Sequence, residues 1–236
     1  MKIRAPRNRT LDLTPAERTA LAGLLLDEKA SFTPDSLRDR IICAELAAVI
    51  DRLPESCADL LIIDPPYNRN TDFHGSRFRS MPDAAYLAYI RSWFTPLVRV
   101  LKPGGSLYLC GTWREGHLLQ QVLAEHLVIR NRITWQREKG RGARKNWKNS
   151  CEDIWFATRG NDWWFDVEAV KVRRTVRAPY RENGLPKDWS TDAAGRYRLT
   201  HPGNLWDDLT VPYWSMPENT DHPAQKPEKL FAKLVL

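Results

Sequence analysis

The sequence predicts an α/β fold, in which helices cover both faces of a β-sheet, and two segments carry this prediction. The apolar run 59–63 has the length and the β-branched content of a buried parallel strand. Pro65 and Pro66 must end this strand, because proline has no backbone N–H group to donate to a neighbouring strand. Residues 87–101 repeat apolar side chains every three or four positions, as a helix with one buried face does. Strands that alternate with helices are typical of the α/β class.

Four further elements are predicted around these two segments. Thr14, with Glu17 three residues later, has the pattern of a helix cap near the N-terminus. Ser80, followed by Asp83, is expected to cap the helix that contains residues 87–101. The other predicted elements are a strand over Arg40–Ala44, a helix over Glu45–Leu53 and a strand over Ser106–Cys110 that follows the Pro103-Gly104-Gly105 turn.

Composition limits the class of protein. The chain has 236 residues, of which 42% are hydrophobic, so it can form a core. Its 36 Lys and Arg residues against 29 Asp and Glu residues give a net charge of +7, which favours a polyanionic partner such as nucleic acid. No apolar stretch has the length of a membrane span or of a signal peptide, so a cytoplasmic protein that does not contact membranes is expected. Four cysteines without Cys-x-x-Cys spacing predict reduced thiols and no metal site.

The end of the 59–63 strand carries the chemistry. Asp64, Pro65, Pro66 and Tyr67 follow the strand directly, and ligands of open α/β sheets bind just beyond the carboxyl ends of the strands. The Asp64 carboxylate and the Pro65 carbonyl can accept the two hydrogens of an exocyclic amino group and stabilise the positive charge that develops there during methyl transfer. Tyr67 offers a flat surface for a base that has left its stack. These residues are the predicted catalytic set for methylation of a nucleobase amine.

The motif and three other blocks resemble a known family, the DNA amino-methyltransferases that use S-adenosylmethionine. Asp64-Pro65-Pro66-Tyr67-Asn68 resembles its catalytic motif, and 93–111 resembles the helix, turn and strand that follow it. Residues 149–156, with Glu152 before an apolar strand, are similar to a third block. His222-Pro223-Ala224-Gln225-Lys226-Pro227 differs by one residue from a His-Pro-Thr-Gln-Lys-Pro signature. The order of the blocks is that of the circularly permuted β group.

The resemblance implies a Rossmann-like methyltransferase sheet of order 3-2-1-4-5-7-6, with 40–45 as strand 3 and 59–63 as strand 4. It also implies that S-adenosylmethionine is the cofactor. The residues expected at the cofactor are Glu45, Asp64, His222, Gln225 and Lys226.

The glycine-rich donor loop of that family has no counterpart here. Gly140-Arg141-Gly142 follows no apolar strand, so it does not fit that role. The chain is therefore expected to be a permuted and incomplete methyltransferase sheet, with strands 1 and 2 absent. The donor-binding part is expected to lie elsewhere, either in the remainder of a truncated chain or in a homodimer or a second chain.

Double-stranded DNA is the expected partner. Eight cations lie between 130 and 148 with Trp135 and Trp147 among them, a pattern that fits phosphate contacts and base stacking, with an ordinary solvated loop as the alternative. The residues predicted to bind DNA are Arg137, Lys139, Arg141, Arg144, Lys145 and Lys148. The predicted organisation is an accessory arm and helix over 1–38, a catalytic core over 39–160, an irregular target-recognition region over 161–219 and a return to the core over 220–236.

Three functions are compatible with these patterns. Methylation of adenine N6 is favoured because the motif begins with Asp and not with Ser. Methylation of cytosine N4 is the nearest alternative, since the two amino groups make similar demands on the site. A catalytically silent relative that still binds DNA is the third, because the donor loop is missing.

Overall fold

The computed structural model describes residues 6–137, 144–212 and 216–236. The helices in this part of the chain are α1 (Pro15–Ala22), α2 (Pro34–Leu37), α3 (Leu46–Val49), α4 (Asp83–Val98), α5 (Gly116–His126) and α6 (Glu228–Val235). The strands are β1 (Ala58–Ile63), β2 (Thr71–Phe73), β3 (Ser76–Phe78), β4 (Leu101–Gly111), β5 (Val128–Gln136), β6 (Cys151–Thr158), β7 (Val172–Thr175), β8 (Arg181–Glu182), β9 (Leu185–Pro186), β10 (Ser190–Asp192), β11 (Gly195–Thr200) and β12 (Leu205–Trp206).

A mixed five-stranded sheet forms the centre of the fold, in the order β1-β4-β6-β5-β12. β1 and β4 run parallel, with Ile63 opposite Leu109, whereas β6 runs antiparallel to both of its neighbours, β4 and β5. The first four strands reproduce the 4-5-7-6 half of the predicted order, because β6 inserts between β4 and β5. The predicted α/β class is therefore confirmed.

Two hydrophobic clusters cover the two faces of this sheet. On one face, α4 and α5 pack against the sheet through side chains that include Ile90, Phe94 and Leu119, all with no exposed surface. On the other face, α6 contributes Leu230 and Leu234 to a cluster that holds Tyr108 of β4, Trp135 of β5 and Phe156 of β6. Successive residues of β6 belong to different clusters, because neighbouring side chains in a strand point to opposite faces of the sheet. Ile154 and Phe156 face α6, whereas Trp155 and Ala157 face α4 and α5.

Both predicted helix caps lie in the described part of the chain. Thr14 and Glu17 form the predicted capping box of α1, with each side chain bonded to the backbone N–H of the other. The predicted cap at Ser80 is wrong. Pro82 occupies the cap position of α4, and the Ser80 N–H instead donates to the Asn70 side chain at 2.9 Å. The polar loop before the helix therefore takes Ser80 out of the capping position.

The predicted strand over Arg40–Ala44 is also wrong. Only Ile42 pairs, in a single bridge with Leu26, and no described strand runs alongside it. A ladder needs a partner of several residues, and this segment has none in the described part of the chain. The predicted helix over Glu45–Leu53 forms as α3 followed by a 3-10 turn over Ile50–Arg52.

Residues 161–219 hold short antiparallel elements and few buried side chains. β7, β10 and β11 form a three-stranded sheet with β11 in the centre, and β8 and β9 form a hairpin. β12, which also belongs to this region, pairs in parallel with β5 at the edge of the main sheet. In the described residues, no helix combines the length and the apolar content that a bilayer crossing requires.

The core on the α4 face predicts the effect of one substitution. Ile90→Ala removes a fully buried side chain from α4, so we expect the free energy of unfolding to fall by about 3 kcal/mol. Ser92→Ala, at an exposed position of the same helix, is the control and is expected to change it by less than about 0.5 kcal/mol. Urea denaturation followed by circular dichroism measures both. Equal effects of the two substitutions would show that this face is not the core.

Candidate active site

Asp64 stands at the carboxyl end of β1, at the edge of the sheet where β4 also ends. β6 begins at this edge because it runs antiparallel to β4, so Glu152, the second residue of β6, lies there too. β4 lies between β1 and β6, which places the backbones of these two strands about 10 Å apart, close enough for one long side chain to reach both carboxylates. Lys226 directly precedes the cap residue of α6, and its side chain reaches Asp64 from the face of the sheet that α6 covers.

Lys226 links the two carboxylates. Its Nζ donates to both Asp64 oxygens, at 2.9 Å to Oδ1 and 2.8 Å to Oδ2, and lies 3.8 Å from Oε2 of Glu152. The Lys226 side chain is 6% exposed and that of Glu152 4%, whereas that of Asp64 is 29% exposed. Asp64 is therefore the member of this cluster that a ligand can reach.

Arg137 and Tyr67 complete the surroundings of Glu152. The Arg137 guanidinium pairs with Oε1 of Glu152, and the Tyr67 hydroxyl donates to Oε2 at 3.2 Å. Burial raises the pKa of Tyr67, and the negative charges of Glu152 and Asp64 raise it further. The phenol therefore stays protonated and acts as a donor. We call these five residues, Asp64, Tyr67, Arg137, Glu152 and Lys226, the ion cluster.

Tyr67 was predicted to stack on a base, and its ring is buried in this structure, with 7% of its surface exposed. The Lys226 ammonium lies 5.2 Å from the ring centre and the Arg69 guanidinium 5.5 Å from it. Arg69 is exposed, so its side chain is the one that can leave the ring. Base stacking by Tyr67 stays a prediction.

Tyr86, on α4, fixes the turn formed by the two prolines. Its hydroxyl donates to the Pro66 carbonyl at 2.9 Å. Pro65 is buried, and no N–H or O–H group of the described residues bonds to its carbonyl. Asn68 adds a second tie, with its side chain bonded to both the N–H and the carbonyl of Met81 at 2.8 Å. The motif is therefore held rigidly from the side of α4.

Cys110 lies beneath the ion cluster, in the core on the α6 face of β4. Burial raises the pKa of the Cys110 thiol to about 12, and the nearby Asp64 charge adds to this effect while Lys226 opposes it. Cys110 is thus a protonated core residue and not a nucleophile. The described residues contain no group of three His, Cys, Asp or Glu side chains that could hold a metal ion.

The residues predicted to bind the cofactor do not all meet at Asp64. Of these, Lys226 bonds to Asp64, whereas the Gln225 side chain bonds to Thr220 and to the Glu218 carbonyl within its own loop. His222 is exposed and faces Phe73, with 6.3 Å between ring centres. Glu45 is exposed and lies near Tyr89 of α4. Burial raises the pKa of Tyr89, and the negative charge of Glu45 raises it further.

The predicted DNA-binding cations have different environments. Arg137 belongs to the ion cluster, so it is not a free surface cation. Arg144, Lys145 and Lys148 are exposed beside Trp147, whose side chain is 93% exposed, whereas Trp135 is buried and bonds to the Leu209 carbonyl. Lys139 and Arg141, together with Gly140 and Gly142, lie outside the described residues.

The structure also shows a second basic surface, whose individual residues were not predicted from the sequence. It lies on one face of the β10-β11-β7 sheet, where Arg174 stands directly opposite Arg198 and Arg196 lies two positions along the same strand. Asp188 pairs with Arg198 at 3.0 Å, but no acidic side chain among the described residues pairs with Arg174 or Arg196. Like charges on facing strands repel each other, so an anionic partner would stabilise this face.

Tyr86, Glu152 and Arg137 are the residues whose roles at the site the sequence did not reveal. Glu152 gave the clearest signal, since an acid in a strand that is otherwise apolar from 154 to 157 has to find a partner. Arg137 was assigned to DNA because it lies in a run of cations between 130 and 148, and only the pairing of β5 with β6 shows that it lies beside Glu152. Nothing in the sequence links Tyr86 to Pro66.

Comparisons with known proteins agree with the fold. The sequence pattern of the N6/N4 methyltransferase family, described as DNA methylase, matches residues 58–236. Type II methyltransferase M.HpaI of Haemophilus parainfluenzae is 26% identical over 200 residues, which cover 84% of this chain and 59% of M.HpaI. DNA adenine methyltransferase YhdJ of Escherichia coli (strain K12) is 26% identical over 203 residues, which cover 83% of this chain and 66% of YhdJ. The chain thus spans less than two thirds of each relative.

A solved structure shares the fold. PvuII DNA methyltransferase (cytosine-N4-specific) superposes with a TM-score of 0.53 at 15% sequence identity, over 80% of this chain and 66% of that chain. This likeness concerns the arrangement of strands and helices.

The ion cluster predicts a difference between two lysines with the same contact geometry. Lys226→Met leaves the buried Glu152 carboxylate and the partly exposed Asp64 carboxylate without their shared cation, so we expect the free energy of unfolding to fall by about 3 kcal/mol. Lys102→Met is the matched control, because Lys102 also bonds to both oxygens of one aspartate, Asp59, at 2.9 and 2.8 Å. That pair is exposed, and we expect a loss below about 1 kcal/mol. Chemical denaturation measures both, and a Lys226→Met loss no larger than the control contradicts a buried cluster.

Proposed function

Because the chain belongs to the DNA methylase family of N6 and N4 methyltransferases, we propose that it methylates the N6 amino group of adenine in duplex DNA. The observation that carries the proposal is Asp64, a carboxylate fixed at the end of a parallel strand yet 29% exposed beside a buried lysine. DNA adenine methyltransferase YhdJ, 26% identical, supports adenine over cytosine as the target. S-adenosylmethionine is the proposed donor and would supply an electrophilic methyl group, whose bond to the sulfonium sulfur breaks as the bond to the amino nitrogen forms, with one amino proton passing to water.

The residues of this chain act on the amino group. Each carboxylate oxygen has more than one lone pair, so Asp64 can accept an N–H of the base while Lys226 holds it in place. The Pro65 carbonyl accepts the other N–H, and the two bonds favour a nitrogen whose lone pair is directed at the methyl group. The negative charge of Asp64 then stabilises the positive charge that develops on that nitrogen. The base reaches this place only after leaving the duplex, and Tyr67 stacks on it once Arg69 has moved aside.

The described residues fit only part of a donor site. Gln225 is bonded within its own loop, and Glu45 and His222 lie apart from Asp64. We propose that polypeptide beyond these residues, in the same protein, in a second copy or in a different chain, completes this site. In the described part of the chain β1 pairs only with β4, so its other edge offers unpaired backbone groups.

DNA contacts are proposed for two surfaces. One is the exposed segment with Arg144, Lys145 and Trp147, and the other is the face of the β10-β11-β7 sheet with Arg174 and Arg196. The second surface lies within the proposed target-recognition region, 161–219. Cations that neutralise phosphates give an affinity that falls with salt concentration, as a protein with net charge +7 is expected to show.

A second candidate function is a catalytically silent DNA-binding protein. The observation in its favour is that both Asp64 oxygens accept from Lys226 and that few of the expected donor residues gather there. DNA binding that persists in Asp64→Ala, without methyl transfer by the wild-type protein and its partner, would favour it.

The adenine proposal is tested on Asp64. Asp64→Asn keeps the size of the side chain but removes the negative charge, so we expect methyl transfer to fall by at least about 100-fold. Asp59→Asn, at the other end of β1, is the control and is expected to retain activity. Mass spectrometry of nucleosides, from DNA treated with the protein and the polypeptide that completes the donor site, measures N6-methyladenine. N4-methylcytosine without N6-methyladenine contradicts the choice of base, and full activity of Asp64→Asn contradicts the site.

The donor-site proposal is tested by isothermal titration of S-adenosylmethionine into the chain alone. At concentrations where sedimentation shows a monomer, we expect no binding tighter than about 1 mM, a free energy of about −4 kcal/mol. Tight binding by the monomer would show that these residues suffice. Binding that appears only with dimer formation identifies the second copy as the partner.

A further inference from the structure

We propose that Glu152 is a positioning residue, which sets the geometry of Asp64 through Lys226 and that of the ring through the Tyr67 hydroxyl. This inference rests on the proposed function, because it concerns the same site. It assigns a role to a side chain that does not itself reach the proposed position of the substrate.

Glu152 has three charged or polar partners and almost no contact with solvent. Oε2 accepts from the Tyr67 hydroxyl at 3.2 Å and lies 3.8 Å from the Lys226 ammonium, while Oε1 pairs with Arg137. Its side chain is 4% exposed. A buried carboxylate costs free energy unless charged or hydrogen-bonding partners surround it, and here partners meet both oxygens. These three partners thus hold the Glu152 carboxylate in one position.

Lys226 carries the effect of Glu152 to Asp64. The Lys226 ammonium sits between the two carboxylates, and its side chain would otherwise be free to turn about four bonds. The charge of Glu152 favours the one position of Nζ from which both Asp64 oxygens are within 2.9 Å. Asp64 has the most exposed carboxylate of the cluster, so it depends most on this support.

The charges of the cluster balance, and this balance depends on Glu152. Arg137 and Lys226 are the two cations, and Asp64 and Glu152 the two anions. If Glu152 lost its charge, the buried Lys226 and the partly exposed Arg137 would compete for Asp64. Arg137 is suited to move, because its Nε is buried without a hydrogen-bond partner among the described residues. A guanidinium on Asp64 would occupy the oxygen that the amino group of the base requires.

Asp153 provides a matched control. It is the next residue of β6 and is equally buried, with 5% of its side chain exposed, and it pairs with Arg132 at 3.7 Å. Its side chain points to the opposite face of the sheet, away from Asp64, because neighbouring residues of a strand alternate. Asp153→Asn therefore removes a buried charge from the same strand without touching the ion cluster.

The kinetic test compares Glu152→Gln, Glu152→Asp and Asp153→Asn in the complete enzyme. We expect Glu152→Gln to lower kcat by about 100-fold with the KM for DNA changed less than about threefold, since the lost contact orients a reacting group. Asp153→Asn is expected to leave both within about threefold. Glu152→Asp is expected to retain more activity than Glu152→Gln, because it keeps the charge. If the role were only to fill space, glutamine, which has the size of glutamate, would retain more activity than aspartate, and that order overturns the proposal.

A double-mutant cycle distinguishes this inference from the proposed function. Glu152→Gln and Lys226→Met are combined in the 236-residue chain, and the unfolding equilibrium constant is measured in urea. If Glu152 acts through Lys226, the two effects are not multiplicative, and we expect a coupling of at least about tenfold. Asp153→Asn with Lys226→Met is expected to be multiplicative within about twofold. Multiplicative effects for Glu152 and Lys226 overturn the inference. Absence of methyl transfer by the wild-type enzyme contradicts the proposed function, while the coupling still decides the role of Glu152.

Discussion

The ammonium group of Lys226 lies between two carboxylates that come from strands two positions apart in the sheet. This contact joins the end of β1, the start of β6 and the loop before α6, which are distant in the sequence. It depends on the antiparallel direction of β6, since only that direction brings Glu152 to the edge where β1 ends. It also depends on α6, because Leu230 and Leu234 anchor the helix that follows Lys226 in the core. The direction of β6 and the packing of α6 together bring these charges into contact.

Burying Glu152 and Lys226, and partly burying Asp64 and Arg137, costs free energy, and the pairing of these charges offsets only part of this cost. A hydrophobic cluster at the same edge would stabilise the sheet equally well. The advantage of these charges lies in methyl transfer. A carboxylate that is held in place before the substrate arrives needs no reorganisation during the reaction. The groups that hold Asp64 and its turn, Lys226 on one side and Tyr86 on the other, come from opposite faces of the sheet. Asp64 is thus rigid and accessible at once, which is the combination that the proposed methyl transfer requires.

Local patterns predicted much of this structure. The apolar run of β1, the stop at Pro65, the capping box of α1 and the order of the strands after β1 all follow from residues that interact along a short stretch or from the resemblance to a family. The failures involve partners far apart in the sequence. The strand over Arg40–Ala44 lacks a neighbouring strand in the described part of the chain, and Ser80 is held by Asn70 and not by the helix. At the site, the sequence did not show that Arg137 pairs with Glu152, because only the pairing of β5 with β6 brings the two together, and its DNA contact stays a prediction.

A crystal structure of the protein bound to a DNA duplex with an extruded adenine tests the central claim most directly. The account predicts that Lys226 Nζ stays within about 3.2 Å of an Asp64 oxygen, while the exocyclic nitrogen of the adenine lies within about 3.2 Å of an Asp64 oxygen and of the Pro65 carbonyl. An adenine whose amino group lies beyond hydrogen-bonding distance of Asp64, with both Asp64 oxygens still held by Lys226, would contradict it.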